Sequence, residues 1–98
     1  MTPEEVLPVS APTVHLNGTS GEHLSSIYDA ARTALQSALR AVVETYPNGR
    51  DYYPQGPMAI STAMAQHRRR VERIEDVLVE MGRICESVEE QVEARRRK

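Results

Sequence analysis

"ISTAMAQHRRRVERIEDVLVEMGRICESVEEQV", Ile60 to Val92, decides the fold. Within it Ile60, Met64, His67, Val71, Ile74, Leu78, Met81, Cys85, Val88 and Val92 recur at steps that alternate between four and three without a break. This spacing sets them on one stripe of an α-helix, the pattern of a coiled-coil seam, with His67 as its single polar member. Val77 and Ile84 form a flanking stripe, so the helix is expected to meet more than one neighbour. It is predicted over 58–94, with Pro57 suited to its first turn.

Upstream lies "YPNGRDYYPQGP", Tyr46 to Pro57, which breaks helical structure twice. The residue before a proline is pushed away from the helical region, and Asn48-Gly49 readily takes positive φ. A connection over 47–57 follows from these signals. Before it, Leu24, Tyr28, Ala31, Leu35, Ala38 and Val42 again step by four and three, which predicts an amphipathic helix over 19–46. Thr19 and Glu22 have the S/T-x-x-E spacing of a capping box at its start. Residues 1–18 are polar and punctuated by proline, and are expected to be flexible or extended, with "TVHLN" able to lie against a helix.

The fold class that results is all-α: an antiparallel two-helix hairpin with an extended N-terminal segment, oligomerising through coiled-coil-like seams. The arms are unequal, about 27 against about 37 residues, which at 1.5 Å per residue leaves roughly 15 Å of the second arm unmatched. Cys85, Val88 and Val92 are expected on that overhang, bare unless a second copy covers them. A homo-oligomer, a dimer or higher, is therefore the expected state.

A chain of 98 residues makes one small domain, and its net charge of −2 excludes a global field that would draw it to nucleic acid or membrane. No apolar run approaches the roughly 20 residues of a membrane span, and the first residues lack the pattern of a secretion signal, so a cytoplasmic location is expected. One cysteine cannot form an internal disulfide, in keeping with a reducing compartment. Three dispersed histidines give no zinc spacing, and no Gly-rich phosphate loop appears, so no cofactor is expected. No nucleophile stands beside a base; the chain does not read as an enzyme.

Two groups remain as candidates for binding. Asn48, Arg50, Asp51, Tyr52 and Tyr53 bring a planar cation, an amide, a carboxylate and two rings into the connection. Arg offers a donor fork for phosphate and Tyr a flat face for a base, so together they suit a nucleotide. Alternatively Tyr46, Tyr52 and Tyr53 are a lid on the bundle end, with Arg50 and Asp51 paired locally. The second group is "QHRRRVER", with His67, Arg68, Arg69, Arg70 and Arg73 within two helical turns. Its arginines form either a solvated face with intrahelical pairs or a cluster that completes an anionic pocket with Arg50 of another copy. His67 on the seam reads as a buried register-setting residue.

"VHLNGTS" (Val14 to Ser20) and "NGRDYYPQG" (Asn48 to Gly56), separated by one amphipathic helix and followed by a longer one, resemble a group of small bacteriophage-encoded helical proteins. By architecture the chain also resembles the phage sponge proteins that defeat CBASS or Thoeris immunity. That resemblance implies a counter-defence protein of the infected host's cytoplasm, sequestering a cyclic nucleotide-type signal at subunit interfaces without turnover. Arg50 and the arginines of 68–73 would then meet phosphates while Tyr52 or Tyr53 stacks on a base. Two other classes stay open: a protein-interaction inhibitor of a host defence or transcription protein, and a DNA-binding or virion accessory protein.

Overall fold

The structure is a computed structural model and describes residues 8–97. These fold into helices with no strand: α1 over Gly21–Val43, a single turn α2 over Gly49–Tyr52, and α3 over Ala59–Arg96. A 3-10 turn, Tyr53–Gln55, lies between α2 and α3. The molecule is a rod, 65 × 23 × 19 Å. No helix among the described residues is long and apolar enough to cross a membrane.

α1 starts one residue later than its capping-box signal indicates. Ser20, not Thr19, is the N-cap, and its hydroxyl accepts the His23 N–H at 3.1 Å. Glu22 still serves the positive end of the helix, from its first turn. At the other end Thr45 and Tyr46 turn their N–H groups back to Val42 and Val43 at 3.0 and 3.2 Å, tightening the last turn before Pro47. The helix therefore closes at Val43 rather than at 46.

The expected loop over 47–57 is in part helical. Asn48 caps α2 by accepting the Arg50 N–H at 2.9 Å, and the Asp51 N–H reaches the Asn48 carbonyl at the same distance. Gly56 then reverses the chain with φ of 108°, in the region that favours glycine, and α3 begins three residues on.

The offset between the long helices is the main correction to the sequence reading. Glu22, in the first turn of α1, faces Arg96 in the last turn of α3 at 3.9 Å. Tyr46, just past α1, meets His67, well inside α3, with ring centroids 5.4 Å apart. The unmatched part of α3 is thus its beginning, Ala59–Gln66, and not the stretch with Cys85, Val88 and Val92. The physical reason is the connection: α2 and the 3-10 turn carry the chain beyond the end of α1 before α3 starts.

Cys85 and Val88 are only 1% and 0% exposed within the single chain, so the expectation that they are bare fails. Two things cover Val88. Leu24 of α1 packs with Ile84 and Val88, and Val9, Ala11 and Val14 of the N-terminal segment close over the same cluster, beside Tyr28, Met81 and Val92. A fully buried Val, Leu or Ile such as Val88 contributes on the order of 1.5–3 kcal/mol by leaving water, and the partly buried side chains of the strap less. Residues 8–14 are accordingly a packed strap, not a flexible tail; the first seven residues of the expected flexible segment lie outside the described residues. Gln91 fixes the strap by accepting the Val14 N–H at 2.8 Å and donating to the Pro12 carbonyl at 2.9 Å. Gly21 lets it close, since a Cβ there would stand 2.5 Å from Val92 Cγ2 and 3.3 Å from Val14 Cγ1.

Candidate functional site

The tip of the rod, where α2 lies against the start of α3, holds the candidate site. A cavity of about 430 Å³ is lined there by Tyr52, Gln55, Thr62, Gln66 and Arg70 among others, with Pro57, Met58 and Ala59 at the opening of α3. α2 sets Tyr52 against α3, and helical spacing brings Thr62, Gln66 and Arg70 to one flank, four residues apart. α3 has no side-chain cap at Met58; its first amide, the Ala59 N–H, turns back to the Gly56 carbonyl at 3.3 Å. None of the lining side chains is a carboxylate. Among the described residues Arg70 makes no ion pair. A ring, two amides, a hydroxyl and an uncompensated guanidinium thus converge on one open cavity.

A second groove runs along the opposite flank of α3, with a volume of about 310 Å³. Val43, Tyr46, Met64 and Val71 make its walls, and Arg68, Glu72 and Glu75 its charged rim. His67 belongs to this groove and is buried at 5% exposure, with Nδ1 lacking a hydrogen-bond partner. A larger cavity of about 560 Å³ lies at the strapped end, but four carboxylates, Glu22, Asp29, Glu89 and Glu93, line it against one cation, Arg96, and would repel an anion.

The structure therefore divides the residues that the sequence grouped. Of the connection's candidates only Tyr52 enters the tip cavity. Asn48 spends its side-chain carbonyl on the Arg50 amide, and Arg50, Asp51 and Tyr53 project into solvent, Tyr53 at 76% exposure. Arg50 and Asp51 form no ion pair with each other. Of the arginine cluster, Arg68 joins the second groove with His67, while Arg69 and Arg73 are exposed and line neither. A lid of three tyrosines is not present either. Tyr46 leans on His67 at 59% exposure and Tyr53 is solvated, so at most Tyr52 covers α3.

Arg70 is the one member of the sequence's arginine cluster that lines the tip cavity, and Gln66 and Gln55 complete it although sequence reasoning did not select those two as binding residues. A signal for Gln66 was available, since Thr62, Gln66 and Arg70 recur four residues apart on one helical flank. Gln55 depends on the fold of the 3-10 turn and had no such signal. Among the described residues no group of three or more His, Cys, Asp or Glu side chains is placed to hold a metal ion.

No family model, no curated protein and no solved structure matches the chain.

Proposed function

We propose that the protein is a non-enzymatic binder of a small anionic ligand that carries a base, a nucleotide-type signal, and that its site is the tip cavity. The observation that carries this reading is the convergence of Tyr52, Gln55, Gln66 and the unpaired Arg70 on one cavity beside the uncapped start of α3. A tyrosine face accepts a base by stacking, and a guanidinium accepts a phosphate through its donor fork. Arg50 lies on the adjoining turn, exposed, where it adds to the positive field at the tip. In the phage setting implied by the resemblance, such a binder acts in the host cytoplasm by sequestering a cyclic nucleotide-type immune signal.

The test is a panel of cyclic di- and trinucleotides and cyclic ADP-ribose isomers, followed by thermal stabilisation and by mass spectrometry of the ligand recovered after denaturation. Stabilisation with return of the intact ligand is the expected result. A ligand returned cleaved, or no stabilisation across the panel, rejects the reading.

The two long helices act as an antiparallel hairpin, a reading supported by the Glu22–Arg96 and Tyr46–His67 pairings at its opposite ends. The working state is a homo-oligomer. Its support is the apolar surface that a single chain leaves exposed, Ile27 at 47% and Val77 at 41%, in a chain small enough to need a partner. Sedimentation at micromolar concentration tests this, and a monomer throughout would reject it.

A second reading, an inhibitor docking onto a host protein, draws on one feature of the same tip: Tyr53 and Met58 are 76% and 71% exposed. Large solvated apolar groups beside cations are typical of protein-binding surfaces. Recovery of a specific host protein that is lost with Tyr53→Ala but retained with Arg70→Ala would favour it.

A further inference from the structure

The end of the rod remote from the tip is a built binding groove, and its occupant is visible. The segment Val9–Val14 lies extended across α3 and is recognised in two ways. Its apolar side chains Val9, Ala11 and Val14 pack on Leu24, Ile84 and Val88. Its backbone is read by one side-chain amide: Gln91 Oε1 accepts the Val14 N–H at 2.8 Å and Gln91 Nε2 donates to the Pro12 carbonyl at 2.9 Å. One amide offering a donor and an acceptor to an extended chain reproduces the pairing that a neighbouring strand would give. Ser87 Oγ lies 3.3 Å from Gln91 Nε2 and holds the amide in place. Proline at position 12 fits the groove chemically, because it brings no N–H that would remain unsatisfied against an apolar wall.

The tie between this segment and α1 is slight. Residues 15–20 are all exposed, and one backbone hydrogen bond, from Gly18 to the His15 carbonyl at 3.2 Å, closes their turn. Leu16 within it is 88% exposed and packs on nothing that would hold the turn shut. Opened to an extended chain, six residues span about 20 Å, about two helix diameters. Every contact that binds the strap is made to α3 or the start of α1, and a second copy offers the same contacts.

We infer that the groove formed by Ile84, Val88 and Gln91 is an exchange site, in which the segment Val9–Val14 of one copy seats on α3 of a second copy. This rests on the homo-oligomer reading and states how its subunits are joined. Exchange replaces each contact of the strap by an identical one, so its cost is the opening of the 15–20 turn together with the loss of independent motion on association. The exchanged and unexchanged forms are then set by protein concentration. Because the groove reads backbone and small apolar side chains, its ligand class is an extended, apolar, proline-containing peptide.

The experiment uses the full chain with a photoreactive residue at the exposed position Thr13, prepared separately in ¹⁴N and ¹⁵N forms. The two are mixed at several concentrations, allowed to equilibrate, illuminated and analysed by mass spectrometry, with sedimentation run on the same samples. The expected result is mixed-isotope links from position 13 to the 84–91 stretch of α3, in a fraction that rises with concentration. Gln91→Glu, which turns the donor to the Pro12 carbonyl into an acceptor, should cut those mixed links several-fold. Oligomers in sedimentation with links only inside one isotope overturn the exchange and leave the oligomer standing. Mixed links mapping outside 84–91 overturn it as well. Monomers throughout overturn both.

Discussion

The ring of Tyr46 stands edge-on to the imidazole of His67, at an interplanar angle of 82° with 5.4 Å between centroids, and His67 Nδ1 beside it is buried without a partner. The seam of α3 thus contains a polar side chain with a buried ring nitrogen that has no hydrogen-bond partner. Replacing it by an apolar group of similar volume removes an unsatisfied atom whose burial costs about 1–3 kcal/mol. His67→Leu is expected to raise Tm, by about 4–8 °C for each kcal/mol in a domain of this size. A fall in Tm on thermal unfolding would show that the imidazole contributes a hydrogen bond the fold needs.

Two glycines should respond to alanine in opposite ways. At Gly21 the new methyl would meet Val92 Cγ2 at 2.5 Å, and a β-branched side chain in a helix has little room to turn away. Gly21→Ala is expected to destabilise by about 1–3 kcal/mol, as overpacked sites do. At Gly82, inside α3, nothing lies within 4 Å of the added atom. Gly82→Ala should stabilise by about 0.5–1 kcal/mol through helix propensity alone. Urea midpoints of the two variants check the pair; equal signs would contradict it.

Gln91 carries both hydrogen bonds that hold the strap, so its loss should uncover what the strap protects. Gln91→Ala forfeits two bonds worth about 0.5–1.5 kcal/mol each. The free thiol of Cys85, 1% exposed and next in sequence to the strap-covered Ile84, is a native reporter. Its reaction with a thiol reagent under native conditions should accelerate by about tenfold or more, one factor of ten for each 1.4 kcal/mol of opening free energy. Unchanged reactivity in the variant would mean that the helices alone shield the sulfur.

The arginines of α3 should separate by position, not by charge. Arg70→Ala and Tyr52→Ala are each expected to weaken binding of a stabilising nucleotide by at least about tenfold, the loss of one charge-assisted contact or one stacked ring. Arg69→Ala and Arg73→Ala, on exposed positions outside the tip cavity, should change affinity less than about threefold, as charges that contribute only through the screened field. Isothermal titration of the four variants decides this. Equal losses from all four would place the ligand on a diffuse basic face instead.

The two long helices were legible because each carries an unbroken four-three pattern, and pattern reports which side of a helix is buried. It does not report how far one helix slides along another. The placement of Cys85 and Val88 on a bare overhang failed for that reason: their depth depends on where the connection delivers the chain, and a four-residue helical turn has no periodicity to read. A local signal was present, since Asn48 with Asp51 three residues later has the character of a helix start. The strap was hidden differently. Val9, Ala11 and Val14 are recognisable as apolar, but their docking depends on Gln91, some 77 residues away from Val14. The candidate site fared alike. Tyr52 stood out by composition, whereas Arg70 differed from Arg68, Arg69 and Arg73 only by its angle around an axis whose neighbours were unknown.

The opening turns of α3 run past the end of α1 and receive support from one side only, the α2 turn with its 3-10 continuation. A helix end braced in that way is the first part of a rod to fray, since few apolar contacts oppose its opening. A molecule seated between Tyr52 and Arg70 would touch both the brace and the helix, acting as the rivet that the fold itself omits there. Affinity at the tip and order of the tip then become one equilibrium, so anything that stiffens the brace strengthens the grip, while the strapped end keeps its own separate stability.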